Sequence, residues 1–121
     1  SDVACLVARE ALGLYAAKKP WENAATMGKR LHAALDGLVE RFPILLSGVA
    51  GEGLLLALRT PSPETARALC AACLENGLLV ATGRVARDTV VIRPSLLITE
   101  AETDELAASL EAALRAVSSG A

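Results

Sequence analysis

Large rings are almost absent from this chain, and that constrains its core before anything else. Tyr15, Trp21 and Phe42 are the only aromatic residues among 121, although 53% of the chain is hydrophobic. The core must therefore be filled by Leu, Ala and Val, and a stacking platform for bases or sugars is not expected. A chain of this length buries roughly two thirds of the surface its unfolded form exposes, so one compact domain spanning residues 1–121 is expected. With 21% charged residues of both signs and a net charge of −2, the chain lacks the basic footprint of a nucleic-acid binder or a polybasic membrane patch. No apolar run approaches the roughly 20 residues of a membrane span, and no signal-peptide pattern precedes the first helical stretch. A soluble cytoplasmic protein is the expectation. Cys5, Cys70 and Cys73 are odd in number and lie in apolar helical stretches, which implies reduced thiols and no disulfide framework.

Helical spacing of Ala4, Val7, Ala8, Ala11, Leu12, Leu14 and Tyr15 predicts a first helix over Val3–Lys19, apolar around most of its circumference and ended by Pro20. A second, amphipathic helix is predicted over about Glu22–Arg41, with Met27, Leu31, Leu35, Leu38 and Phe42 on one face and Pro43 closing it. Ile44–Gly53 is a short apolar piece broken by Ser47 and Gly48. The run Leu54–Leu58, bounded by glycines and by the turn at Pro61, suits a strand buried on both sides. Ser62 and Pro63 supply the cap and first turn of a third helix, Glu64 favours its positive end, and Asn76–Gly77 stops it. Leu78–Thr82 and Thr89–Arg93 read as an antiparallel hairpin joined through Gly83, Arg84, Arg87 and Asp88. Thr99 and Glu102 form a capping box for a last helix whose stripe is Leu106, Leu110, Leu114 and Val117, with a frayed tail over Ser118–Ala121. The order helix, helix, strand, helix, strand, strand, helix predicts an α+β two-layer sandwich, a small mainly antiparallel sheet covered by helices.

Few residue groups carry chemistry on their own. Cys70 and Cys73 form a CxxC, but in mid-helix among Leu69, Ala71 and Ala72, where core packing is favoured over redox chemistry. His32 is the only histidine and shows no recognisable nucleophile or carboxylate partner, so neither a zinc site nor catalysis is expected. Gly48, Gly51 and Gly53 lack the spacing and the Lys-Ser/Thr of a phosphate loop, leaving a tight turn or close backbone packing. Glu100, Glu102, Asp104 and Glu105 are accounted for by a helix start. Arg93 ends a strand of Val90, Val91 and Ile92 just before Pro94, where it either presents a planar fork to a carboxylate or snorkels from the sheet edge to water.

Several strings, in this order, resemble the C-terminal small domain of class III aminotransferases, the group that includes acetylornithine, ornithine, 4-aminobutyrate and ω-amino acid:pyruvate aminotransferases. VACLVAREALGLY is similar to the helix after the large domain, and ENAATMGKRLHAAL to the next helix, with its ENA and G-x-x-L. VAGEGLLLAL is similar to V-R-G-x-G-L-M-L-G, with Gly51, Gly53 and Leu54 in place; ENGLLV resembles the start of the next strand. DTVVIRPSLLITEAETDEL is similar to the proline, leucine and I-T-E-x-E-x-D-E-L stretch, the most specific match of the set. The chain departs from the pattern at Ala50, Ser95, Thr103 and Val91, the last standing where the acetylornithine and ornithine branches carry a carboxylate-binding arginine.

The resemblance implies a domain that covers one side of the substrate cleft of an enzyme moving an amino group from an amino acid or ω-amine to a keto acid. Acetylornithine aminotransferase is one possibility within the family, and an apolar residue at Val91 is more like the ω-amino acid or amine branches. It implies pyridoxal phosphate in the intact enzyme, held by a lysine and an aspartate of a large domain; nothing here matches either, since Lys18, Lys19 and Lys29 lie on predicted small-domain helices. On this reading the chain alone has no catalytic, cofactor-binding or metal-binding residue and is inactive, Arg93 is its candidate substrate-binding residue, and the large domain of a homodimeric parent is its partner. The competing reading is a freestanding α+β binding or dimerisation module.

Overall fold

The computed structural model describes residues 19–120. Residues 3–18 of the expected first helix, with Cys5, Tyr15 and Lys18, lie outside that range. Helix α1 runs over Pro20–Arg41. Pro20 therefore opens a helix, two residues before the expected start: its ring presets a helical φ, and a missing N–H costs nothing in a first turn where amides have no intrahelical acceptor. Met27, Leu31, Leu35 and Leu38 are buried as their spacing predicts, and Phe42 is half-buried at the cap, its N–H donating to the Leu38 carbonyl at 2.8 Å.

The strands are β1 (Gly48–Glu52), β2 (Leu55–Arg59), β3 (Ala81–Thr82) and β4 (Thr89–Ile92), in the sheet order β1-β2-β4-β3 with every neighbouring pair antiparallel. The sequence reading omits β1, because GVAGE has neither alternation nor β-branched density; the strand exists through its pairing with β2, Gly48 opposite Arg59 to Glu52 opposite Leu55. Gly51, at φ 103°, makes the turn into β2 possible, since a Cβ there would collide with the Leu55 carbonyl oxygen. β2 also corrects an expectation. Leu56 and Leu58 are fully buried, but Leu55 is 56% exposed and Arg59 faces solvent, so among the described residues the strand is covered on one side only. An unbroken leucine run reads as two-sided burial; among the described residues 19–120, no helix or strand packs on the second side.

Helix α2 (Pro63–Glu75) matches its predicted bounds: the Ser62 hydroxyl accepts the Thr65 N–H at 3.2 Å, and Asn76 closes the helix by donating from its side chain to the Ala72 carbonyl at 2.8 Å. Helix α3 (Glu100–Ser118) starts on the complete capping box, Glu102 N–H to Thr99 Oγ1 at 3.1 Å and Thr99 N–H to Glu102 Oε1 at 3.0 Å. Leu106, Leu110 and Leu114 are buried; Val117 is only half-buried, its place being taken by Ala113 at full burial. Helix α1 packs on β1 and β2, α2 on β3 and β4, and α3 against both helices. The result is an α+β fold with the three described helices on the face of the sheet that carries Leu56, Leu58, Val90 and Ile92.

Candidate functional site

The opposite face of the sheet is lined by small residues. The cross-strand register places Ala50 opposite Ala57, Ala57 opposite Val91 and Val91 opposite Ala81, and strand alternation puts all four on the side away from the buried Leu58 and Ile92. Ala50, Ala57 and Val91 are partly accessible and Ala81 and Leu55 are exposed. Arg93 follows two residues after Val91, beyond the last paired residue of β4; it is exposed and, among the described residues, has no carboxylate within ion-pair distance.

The segment after Arg93 is held in place from α1. Asn23 donates both side-chain N–H groups, to the carbonyls of Leu96 at 2.8 Å and Ile98 at 3.0 Å, across more than seventy residues of sequence. Ser95 Oγ accepts the Leu97 N–H at 3.1 Å and fixes the turn itself. The close seat of α1 on the sheet depends on Gly28, where a Cβ would lie 2.5 to 2.8 Å from the backbone of Gly53, closer than any side chain tolerates. Charged pairs then fasten α1 to α3. Arg30 makes a two-pronged bond to Asp104 at 2.8 and 2.9 Å and reaches Glu100 at 3.3 Å, while Arg41 and Arg115 share Glu111. The Arg30 guanidinium holds the Asp104 carboxyl below its usual range, and Arg41 and Arg115 do the same to Glu111.

The remaining groups singled out from sequence settle into structural roles. Cys73 is fully buried in the core and Cys70 half-buried beside it, both as free thiols; burial pushes the Cys73 thiol up to about 12, the opposite of what a nucleophilic thiolate requires. His32 does have an acidic partner, contrary to expectation: its Nδ1 lies 3.0 Å from Asp36 Oδ2, one helical turn on. The spacing of four was readable, and it makes a surface pair with no nucleophile. No group of three or more His, Cys, Asp or Glu is placed to hold a metal among the described residues. No helix among them is long and apolar enough to cross a membrane.

The family model for aminotransferase class-III matches residues 2–114. The chain belongs to this family. It is 33% identical over 117 residues to the mitochondrial acetylornithine aminotransferase of Neurospora crassa, covering 97% of this chain and 24% of that protein. It is 32% identical over 110 residues to the L-lysine-epsilon aminotransferase of Mycobacterium tuberculosis, 91% of this chain and 24% of the relative. In structure, the lysine aminotransferase from M. tuberculosis superimposes with a TM-score of 0.80 at 32% identity over 91% of this chain and 25% of that one. The acetylornithine aminotransferase from Elizabethkingia anophelis gives 0.77 at 30% identity, covering 93% and 30%. The chain thus spans about a quarter of the length of the curated relatives it matches.

Class III aminotransferases depend on pyridoxal phosphate, which binds a lysine as a Schiff base and pairs its ring nitrogen with an acid. The described lysines do not fit that task. Lys19 lies on the surface 3.5 Å from Glu22, and Lys29 stands exposed on α1 beside the nearly apolar hollow formed with Ala25, Gly28, His32 and Gly53, which has no carboxylate in its lining. No step through the cofactor can be built on these residues.

Proposed function

We propose that this chain, residues 1–121 as one domain, is the small C-terminal domain of a pyridoxal-phosphate-dependent transaminase, and that the cofactor is held by a large domain of the same parent protein. The family match across nearly the whole chain supports this reading, and the observation that carries it is the sheet face that the described residues leave uncovered. A four-stranded sheet with the described helices on one face and a strip of Ala50, Ala57, Val91 and Ala81 on the other is suited to lie against a further layer of protein.

In that arrangement the strip and Arg93 form one wall of a substrate cleft. The apolar strip excludes water from the reacting groups, and the Arg93 guanidinium donates paired N–H bonds to the carboxylate of an amino acid or keto acid. Val91 gives the wall an apolar centre, which favours donors whose middle is a hydrocarbon chain and whose charge lies at the end. The relatives act on acetylornithine, lysine, diaminobutyrate and taurine by their names; acetylornithine is one candidate donor, and ω-amines are favoured by Val91. By family analogy the parent works as a cytoplasmic homodimer in amino acid metabolism.

The test is an amino-transfer assay on the protein read from the parent's full coding sequence and on this chain alone. Activity is expected only in the longer protein. Within it, Arg93→Gln is expected to raise KM for the keto acid by about 10- to 100-fold, the value of a charge-assisted hydrogen-bond pair, with kcat less affected. Unchanged kinetics would remove Arg93 from the cleft, and turnover by this chain alone would overturn the domain reading.

A further inference from the structure

The pairing of the arginines in this molecule is uneven. Arg30, Arg41 and Arg115 are each engaged with carboxylates between or along helices. Arg84 and Arg87, on the loop between β3 and β4, have no carboxylate within ion-pair distance among the described residues, yet together with Arg67 of α2 they line a single open cavity of about 400 Å³. Thr82 and Gly83 complete its lining, and no acidic residue contributes to it. Arg67 is the only one of the three with a partner, Glu64 at 3.5 Å, and both side chains are mostly exposed. An ion pair so open to solvent contributes little and yields readily to a better acceptor.

Three arginines line one hollow, and in a chain whose net charge is −2 this concentration of positive charge is local. The loop that carries two of them is braced. Gly83 N–H donates to the Thr89 carbonyl at 3.1 Å, Thr89 donates from both backbone and hydroxyl to the Ala86 carbonyl at 3.2 and 2.6 Å, and Thr60 N–H reaches the Asp88 carbonyl at 2.9 Å. Arg84 and Arg87 therefore stand on a fixed turn and line the same cavity as Arg67 of α2, so little backbone ordering remains to be done when a ligand binds.

We propose that this cavity is a binding site for a small phosphorylated molecule, recognised through its phosphoryl group by Arg67, Arg84 and Arg87. A phosphoryl group offers three terminal oxygens in different directions, matching guanidinium forks that arrive from two separate elements; a planar carboxylate is satisfied by one fork. The volume lies in the range of roughly 300–1,000 Å³ typical of small-molecule sites. No aromatic residue lines the cavity, so a base or ring is not what it reads.

The experiment titrates the full chain with inorganic phosphate and pyrophosphate, following amide NMR shifts and binding heat against chloride at matched ionic strength. Saturable binding is expected, with the largest shifts at Arg67, Thr82, Gly83, Arg84 and Arg87, tighter for pyrophosphate, and weakened at least about tenfold in the Arg84→Gln/Arg87→Gln double variant. The control Arg59→Gln, on β2 and outside the lining, is expected to bind as the parent does. Absence of saturation beyond chloride, shifts confined to other residues, retention of affinity in the double variant, or succinate binding as tightly as phosphate would each overturn the assignment. Should the double variant fail to fold, the shift map of the unmodified chain decides alone.

Discussion

Individual residues divide into those that permit the packing and those that fill it. Gly28 belongs to the first kind, because the Gly53 backbone occupies the space of its Cβ, whereas Gly37 of the same helix has open space around it. Gly28→Ala is expected to cost about 1–3 kcal/mol through overpacking, and Gly37→Ala to stabilise by about 0.4–1 kcal/mol through helix propensity, a sign difference that urea denaturation resolves. Leu110 belongs to the second kind; its full burial against the other helices implies a loss of about 2–5 kcal/mol on Leu110→Ala. Cys73 is expected to resist alkylation in the folded chain. Its folded pKa lies above the unfolded one, so the stability that burial of the neutral thiol protects is complete below about pH 9 and drains away toward the folded value of about 12. Alkylation of Cys73 at the rate of an unfolded thiol at neutral pH would contradict that placement.

At the scale of the element, α3 is held at its start by the capping box and along its length by the arginines of α1. Thr99→Ala is expected to lower stability by about 0.5–2 kcal/mol. Asp104 and Glu111 titrate lower in the folded state, so their contribution is present above the ordinary carboxylate range and is lost as pH falls through the folded-state values. An acid titration is expected to show this loss diminished in an Asp104→Asn/Glu111→Gln variant. Elements with local signals were legible in sequence: Ser62–Pro63 and Asn76–Gly77 bracket α2, and Thr99 with Glu102 opens α3, because caps are local chemistry. Strand β1 was not, since GVAGE has neither alternation nor β-branched density and is a strand only by its hairpin pairing with β2. Leu54–Leu58 misled because composition reports which residues tolerate burial, whereas the exposure of Leu55 reports what the described residues stack on the sheet.

On the scale of the whole molecule, family and fold were legible because the ordered motifs run through the chain, and the match over residues 2–114 bears them out. The candidate wall was legible in part. Arg93 and Val91 were visible as a strand end, but the Asn23 bonds that hold the following turn and the gathering of Arg67 with Arg84 and Arg87 depend on contacts between distant segments. The sheet face left uncovered by the described residues and the quarter-length match both support the proposed further layer of protein. That proposal is tested most directly by mixing this chain with the separately produced remainder of its parent and following amide exchange of β2 and β4. A one-to-one complex that slows exchange at Leu55, Ala57 and Val91 is expected, and two components that stay apart, with exchange on that face unchanged, would contradict it.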